Sequence, residues 1–189
     1  MMRIITGRAR GVHLDTLPGD ATRPTSERVK GAIFSSLQFE LDGRRVLDLF
    51  AGSGQMGLEA LSRGALSVTF ADAAPEAIAV VKENARRTGF FDDCRYLVSD
   101  YRNVIRKAAG KDTYDLVFID PPYATDMATD ALLRILEAEI LAPGAILVVE
   151  TGRKASLAEL PTGLTLRKES RYSISYVSIY EWEGRPCES

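Results

Sequence analysis

The residues best suited to chemistry in this chain follow an apolar run at 114–119: Asp120-Pro121-Pro122-Tyr123. Two prolines fix the backbone and remove two amide donors, so nearby carbonyls are left to accept hydrogen bonds. Beside them stand a carboxylate acceptor and an aromatic face. Such a group fits a planar ligand carrying an exocyclic NH2, held at its edge by acceptors and on its face by stacking. The competing reading is a Pro-Pro pair that simply ends a strand. A second candidate is Asp48, the one charge in the run Val46-Leu47-Asp48-Leu49-Phe50, which leads into Ala51-Gly52-Ser53-Gly54. A buried carboxylate is costly unless it is hydrogen-bonded, so Asp48 belongs at the carboxyl end of a strand, bonded by the turn or by a ligand. Asp72 lies about 20 residues beyond the glycine turn, where nucleotide-binding folds place an acid for ribose hydroxyls. Capping of the next turn is its alternative role.

These residues need elements to hold them. The apolar run at 46–50 reads as a buried parallel strand, the glycines as a turn, and Met56, Leu58 and Leu61 as one face of a helix stopped near Gly64. Further strands are expected at 67–71, 95–99, 114–119 and 145–150. Helices are expected at 75–88, after Asp100-Tyr101 through 108, and at 126–141, the last broken by Pro143-Gly144. A closing antiparallel pair is expected at 165–169 and 173–183. The alternation of strands and helices predicts an α/β fold with a doubly wound, mostly parallel seven-stranded sheet. Before it come two short strands, 3–6 and 12–17, joined by Gly7-Arg8-Ala9-Arg10-Gly11, and a helix whose Val29, Ala32, Ile33 and Leu37 form a core stripe. Thr25 or Ser26 is placed to cap that helix. Residues 1–45 are thus expected as an N-terminal hairpin-and-helix extension on a main domain of 46–189.

A chain of 189 residues with 46% hydrophobic and 26% charged content suits one well-filled domain rather than two large ones. It has no apolar run near the ~20 residues that span a bilayer, and its first residues lack a signal peptide's apolar centre. Cys94 and Cys187 follow no metal or disulfide spacing. A cytoplasmic location is expected. His13 is the only histidine, which argues against His-dependent triads and against a transition-metal site. The net charge of −2 does not advertise a polyanion partner, but residues 1–45 hold eight Lys/Arg against five Asp/Glu. Arginine suits phosphate because its planar fork can bond two oxygens. A solvated surface hairpin explains the same charges.

The glycine turn, the strand-end acid and Asp-Pro-Pro-Tyr together resemble the class I S-adenosylmethionine-dependent methyltransferases that modify exocyclic amines of nucleobases. The resemblance narrows with Arg3-Ile4-Ile5-Thr6-Gly7, Gly11, Arg23-Pro24-Thr25, the Phe34 helix, and Gly57-Leu58-Glu59-Ala60-Leu61-Ser62-Arg63-Gly64-Ala65. Together these look like the bacterial RsmD family, which methylates guanine N2 in 16S ribosomal RNA.

That resemblance implies roles. Asp48 and Ala51, Gly52, Ser53 and Gly54 would hold the methionine part of S-adenosylmethionine, with S-adenosylhomocysteine as product. Asp72, with Ala73 beside it, would bind the ribose, and Asp100 with Tyr101 the adenine. Asp120 and Pro121 would accept hydrogen bonds from the target amine, with Pro122 and Tyr123 completing the catalytic group. Arg3, Arg8, Arg10, Arg23 and Thr25 would contact RNA. The partner would be 16S ribosomal RNA, within an assembling small subunit, and nothing calls for more than a monomer. The chain departs from the pattern at Asp72, where relatives often carry Glu, at Ser35, where Asn is expected, and at Gln55-Met56. A DNA adenine-N6 methyltransferase is one rival, although residues 124–189 offer little for reading a duplex base. A non-catalytic RNA-binding module on the same fold is the other.

Overall fold

The computed structural model describes residues 2–17, 27–122, 126–152, 160–172 and 175–184. Its strands and helices alternate in a doubly wound, mostly parallel seven-stranded α/β fold. Contacts divide the chain into two compact units, Met1–Tyr101 and Arg102–Ser189.

In the first unit, β1 (Arg45–Asp48) and β3 (Cys94–Val98) both pair in parallel with β2 (Ser67–Asp72). Val46, Leu47, Val68 and Phe70 are almost fully buried, as strands covered on both faces require. The parallel steps are made by α2 (Gln55–Ser62) and α3 (Pro75–Thr88). Pro75 opens α3 and Gly89, at φ 79°, closes it. Gly57 explains how closely α2 lies on the sheet: a Cβ there would come within 2.4 Å of the Phe70 ring. Only glycine permits that approach.

The N-terminal arm departs from expectation. Residues 3–6 and 12–17 are not two strands; they share a single antiparallel bridge, Arg3 to His13, with Ile4 N donating to Val12 O at 3.0 Å. The physical reason lies in where the arm's polar groups go. Ile5 N and Thr6 N donate to the Glu59 carboxylate at 2.8 and 3.0 Å, and Arg8 N donates to Ser62 O at 2.8 Å. The Ser62 hydroxyl takes Ala9 N and gives to Thr6 O. These groups satisfy the backbone at Ile5, Thr6, Arg8 and Ala9, while Ile4 N, Gly11 N and Leu14 N still bond across the arm. The helix α1 (Glu27–Ser36) follows, burying Val29, Ile33 and Phe34, but also Lys30. Ala32, expected in the stripe, is only half-buried, and Leu37 is buried just beyond the helix. The expected capping residues Thr25 and Ser26 lie outside the described residues.

The second unit holds β4 (Tyr114–Ile119), β5 (Leu141–Thr151), β6 (Leu164–Tyr172) and β7 (Ser175–Trp182). β4 and β5 are parallel; β7 runs antiparallel to β5 and to β6, the expected closing pair. The helix α4 (Tyr101–Ala108) leads into this unit, and α5 (Met127–Glu137) packs on β4 and β5. The helix expected at 126–141 ends early, at Glu137, and Glu139 turns away with φ 54°. Pro143-Gly144 does not break a helix; it sits inside β5, which starts at Leu141. There the β4–β5 register moves from Tyr114↔Leu141 to Leu116↔Ile146, two residues on β4 against five on β5. A proline without an amide donor is tolerated where the ladder is interrupted in this way.

Candidate functional site

Asp48 ends β1, with 4% of its surface exposed. Its carboxylate accepts a 3.0 Å bond from Gly57 N on α2. Burial pushes its carboxyl up from 3.8 to about 7; the Gly57 amide opposes the rise and the nearby charge of Asp72 adds to it. The turn that follows is built on glycines with left-handed backbone, Gly52 at φ 51° and Gly54 at φ 78°. Gly54 N closes the turn onto Ala51 O at 2.7 Å. A Cβ at Gly52 would meet nothing within 4 Å, so this side of the backbone is open to a ligand. Ser53 is buried, and α2 leaves directly from Gly54, beginning with half-buried Gln55 and buried Met56.

Asp72 stands at the carboxyl end of β2, beside the turn. One oxygen accepts Gly52 N at 3.0 Å and the other accepts Ala74 N at 2.9 Å. The turn-capping role weighed for it is therefore present, and each oxygen keeps a second acceptor direction. Asp72 O also takes Ser99 N at 2.9 Å, which leads to half-buried Asp100. The ring of buried Tyr101 lies 5.3 Å from that of Phe50. The structure thus gathers Asp48, the stretch 51–54, Asp72 and Tyr101 around the carboxyl ends of β1 and β2, the usual ligand crevice of an open α/β sheet. Ala73, between Asp72 and the Ala74 amide, is exposed.

In the second unit, Asp120 follows the last residue of β4 and is half-buried; Pro121 is buried and Pro122 exposed. The apolar residues Leu116 to Ile119 anchor the strand that presents them. Tyr123 lies outside the described residues.

Of the candidate RNA-contacting arginines, Arg3 is exposed and donates to the Glu27 carboxylate from Nε and Nη2, at 3.0 and 3.3 Å. Arg8 donates to Leu61 O at 3.3 Å and lies over the Phe90 ring at 5.1 Å. Arg10 is exposed, and Arg23 and Thr25 lie outside the described residues. Cys94 donates its thiol to Phe90 O, and burial pushes it up to about 12, so it is no nucleophile at neutral pH. Among the described residues no cluster could hold a metal ion.

Three residues of this region were not legible as functional. Asn84, fully buried on α3, donates to Ser53 O in the glycine turn at 2.9 Å and to Asp15 O at 3.0 Å, and accepts Asp15 N at 2.8 Å. It joins the arm to the turn. Glu59 and Lys30 are fully buried at 3.3 Å from each other; Lys30 also donates to Arg3 O, and Arg63 bonds Glu59 at 2.9 Å. The only signal was a Glu inside the otherwise apolar run 56–61, and an Asn in the interior of a helix, where an amide is disfavoured without a partner.

A family model described as "Conserved hypothetical protein 95" matches residues 2–181. The chain is 35% identical to "Putative rRNA methyltransferase YlbH" of Bacillus subtilis, covering 97% of this chain and 100% of that one. It is 32% identical to "Ribosomal RNA small subunit methyltransferase D" of Haemophilus influenzae, over 95% of this chain and 93% of the relative. Among solved structures, "Putative methyltransferase yhhF from Escherichia coli" superposes with a TM-score of 0.86 at 27% identity, covering 97% of this chain and 99% of that one. Likeness in sequence and in backbone along almost the whole length places the chain in one family: it belongs to the RsmD family of ribosomal RNA small subunit methyltransferases.

Proposed function

We propose that this protein transfers a methyl group from S-adenosylmethionine to the exocyclic N2 amine of a guanine in 16S ribosomal RNA. The observation that carries the reading is the glycine turn, open at Gly52 and flanked by two carboxylates, Asp48 and Asp72. The donor set fits the methyl donor. Carboxylates suit a ligand that carries both cationic charge and ribose hydroxyls, and backbone free of side chains lets it approach. Asp48 and residues 51–54 hold the methionine part, Asp72 with Ala73 the ribose, and Asp100 with Tyr101 the adenine. When bound, S-adenosylmethionine supplies an activated methyl on a sulfonium.

The chain's own residues prepare the acceptor. An aromatic amine is a weak nucleophile because its lone pair is delocalised into the ring. Asp120 and the Pro121 carbonyl accept hydrogen bonds from the two amine N–H groups, which draws the lone pair out of conjugation and aims it at the methyl. Pro122 stiffens the segment and Tyr123 stacks on the base. The N–C bond forms as the S–C bond breaks, and one amine proton leaves by way of Asp120 or solvent. Holding the two reactants in line supplies much of the acceleration. Arg3, Arg8, Arg10, Arg23 and Thr25 contribute phosphate contacts, which add affinity without reading sequence. The substrate is RNA within an assembling subunit, engaged by an N-terminal extension, residues 1–45, on a monomeric methyltransferase domain.

The test is methyl transfer from labelled S-adenosylmethionine to protein-free 16S RNA, partly assembled small subunits and duplex DNA, with the product base mapped. N2-methylguanine on RNA or particles supports the reading. N6-methyladenine on DNA or no transfer at all overturns it.

A further inference from the structure

An open groove of about 770 Å³ lies within the first unit, away from the glycine turn. It is lined by Thr6, Arg8, Ser35, Gln38 and Arg63 together with small and apolar residues of the arm, α1 and the end of α2, and no carboxylate among the described residues lines it. The buried cluster beneath, Lys30, Glu59 and Arg63, sets two cations against one anion. Arg8 adds a further charge. The carbonyl end of α2 would ordinarily repel an anion. Here Leu61 O is bonded by the Arg8 guanidinium and Gly64 N, and Ser62 O by Arg8 N. Only one nitrogen of each guanidinium, Arg8 Nη2 and Arg63 Nε, is committed to an oxygen among the described residues. Asp42 Oδ1 lies against Gly64, and that part of the groove disfavours an anion. Directly after Gln38, on the turn that ends α1, Phe39 is 92% exposed.

A cationic groove with hydroxyl and amide donors and a solvent-facing aromatic ring beside it is the combination that holds unpaired nucleotides: phosphates on the cations, a base on the ring. We infer that this groove, with Phe39, seats a single-stranded segment of the RNA substrate. The inference rests on the RNA reading above and adds to it Ser35, Gln38, Phe39 and Arg63, none of which belongs to the arginine set of the arm.

Ser35, Gln38 and Phe39 are exposed, so changing them leaves the core intact. The experiment measures affinity by fluorescence anisotropy for a labelled unstructured ribo-oligonucleotide and for protein-free 16S RNA, over a range of salt. Phe39→Ala is expected to weaken binding of the oligonucleotide about tenfold. Ser35→Asp and Gln38→Glu are expected to weaken it most at low salt, where charge counts for most. S-adenosylhomocysteine binding stays unchanged in all three. Unchanged RNA affinity in all three variants overturns the inference. So does a loss confined to activity on ribosomal particles, which would assign the groove to a ribosomal protein. Failure of the wild type to transfer methyl overturns the proposed function instead, while the affinity series still decides the groove.

Discussion

The side-chain amide of Asn84 is 2.9 Å from the carbonyl oxygen of Ser53, and donates to it from a position with no exposure to solvent. The same side chain closes both backbone groups of Asp15. One residue therefore fixes the glycine turn and the arm at once. Asn84→Ala leaves buried carbonyls unpaired, at a cost of about 1–3 kcal/mol in stability. It should also raise the dissociation constant for S-adenosylhomocysteine about tenfold, because the turn loses its orientation. Asn84→Asp keeps the shape and the bond from Asp15 N but faces two carbonyls with an acceptor, and should weaken binding similarly. Titration calorimetry below the unfolding temperature separates the two effects; unchanged affinity would leave Asn84 a purely structural residue.

Asp48 makes stability depend on pH. Its carboxyl is raised from 3.8 to about 7, so between those values the folded chain holds the proton more tightly than the unfolded chain does. Its contribution is complete below the unfolded value and is lost as pH rises through about 7. Thermal unfolding of the wild type should therefore fall, relative to Asp48→Asn, as pH climbs from about 5 to about 8. An ammonium group beside Asp48, such as that of the ligand's amino-acid part, favours the ionised form, so affinity for S-adenosylhomocysteine should rise across the same window in the wild type and stay level in Asp48→Asn. Parallel profiles in the two proteins would remove Asp48 from both roles.

Asp120→Ala removes the acceptor proposed for the target amine, and Asp120 lies in the other unit from the glycine turn. Methyl transfer should drop by at least about a hundredfold, a typical scale for loss of one positioned catalytic group. Cofactor affinity should stay within about twofold. A variant that keeps half its activity would remove Asp120 from the chemistry.

Lys30 and Glu59 are both at zero exposure, so removing one strands the other. Glu59→Leu should cost about 3–5 kcal/mol, because it leaves the buried Lys30 charge without its carboxylate and the amides of Ile5 and Thr6 without their acceptor. Lys30→Met with Glu59→Leu should recover part of that loss, since the stranded charge is gone. Urea unfolding of the two variants measures the difference, and equal midpoints would show that the pair carries no coupling.

The alternation of strands and helices was readable because buried parallel strands are short apolar runs punctuated by glycine and proline. β4 at 114–119 and α3 at 75–88 have the bounds that their residues announce. Pro143-Gly144 misled because a proline's effect depends on whether its missing amide was needed: in a helix it would break the ladder, while in β5 it falls where the register already slips. The arm misled for the opposite reason. Residues 3–6 have strand composition, but the amides of Ile5 and Thr6 pair with a carboxylate more than fifty positions away, and no local pattern encodes that. The turn, Asp48 and Asp72 were legible because acids and glycines near strand ends carry local signals. Asn84 and Lys30 were not, since their partners are backbone groups distant in sequence.

Glu59 also sets an order of events during synthesis. Ile5 leaves the ribosome 54 residues before the carboxylate that will hold its amide. Until α2 is made, the arm has neither of the anchors, Glu59 and Ser62, that satisfy its backbone. The arm is thus translated well before it can find its place, and its arginines reach their final arrangement only when the helix behind the glycine turn has formed.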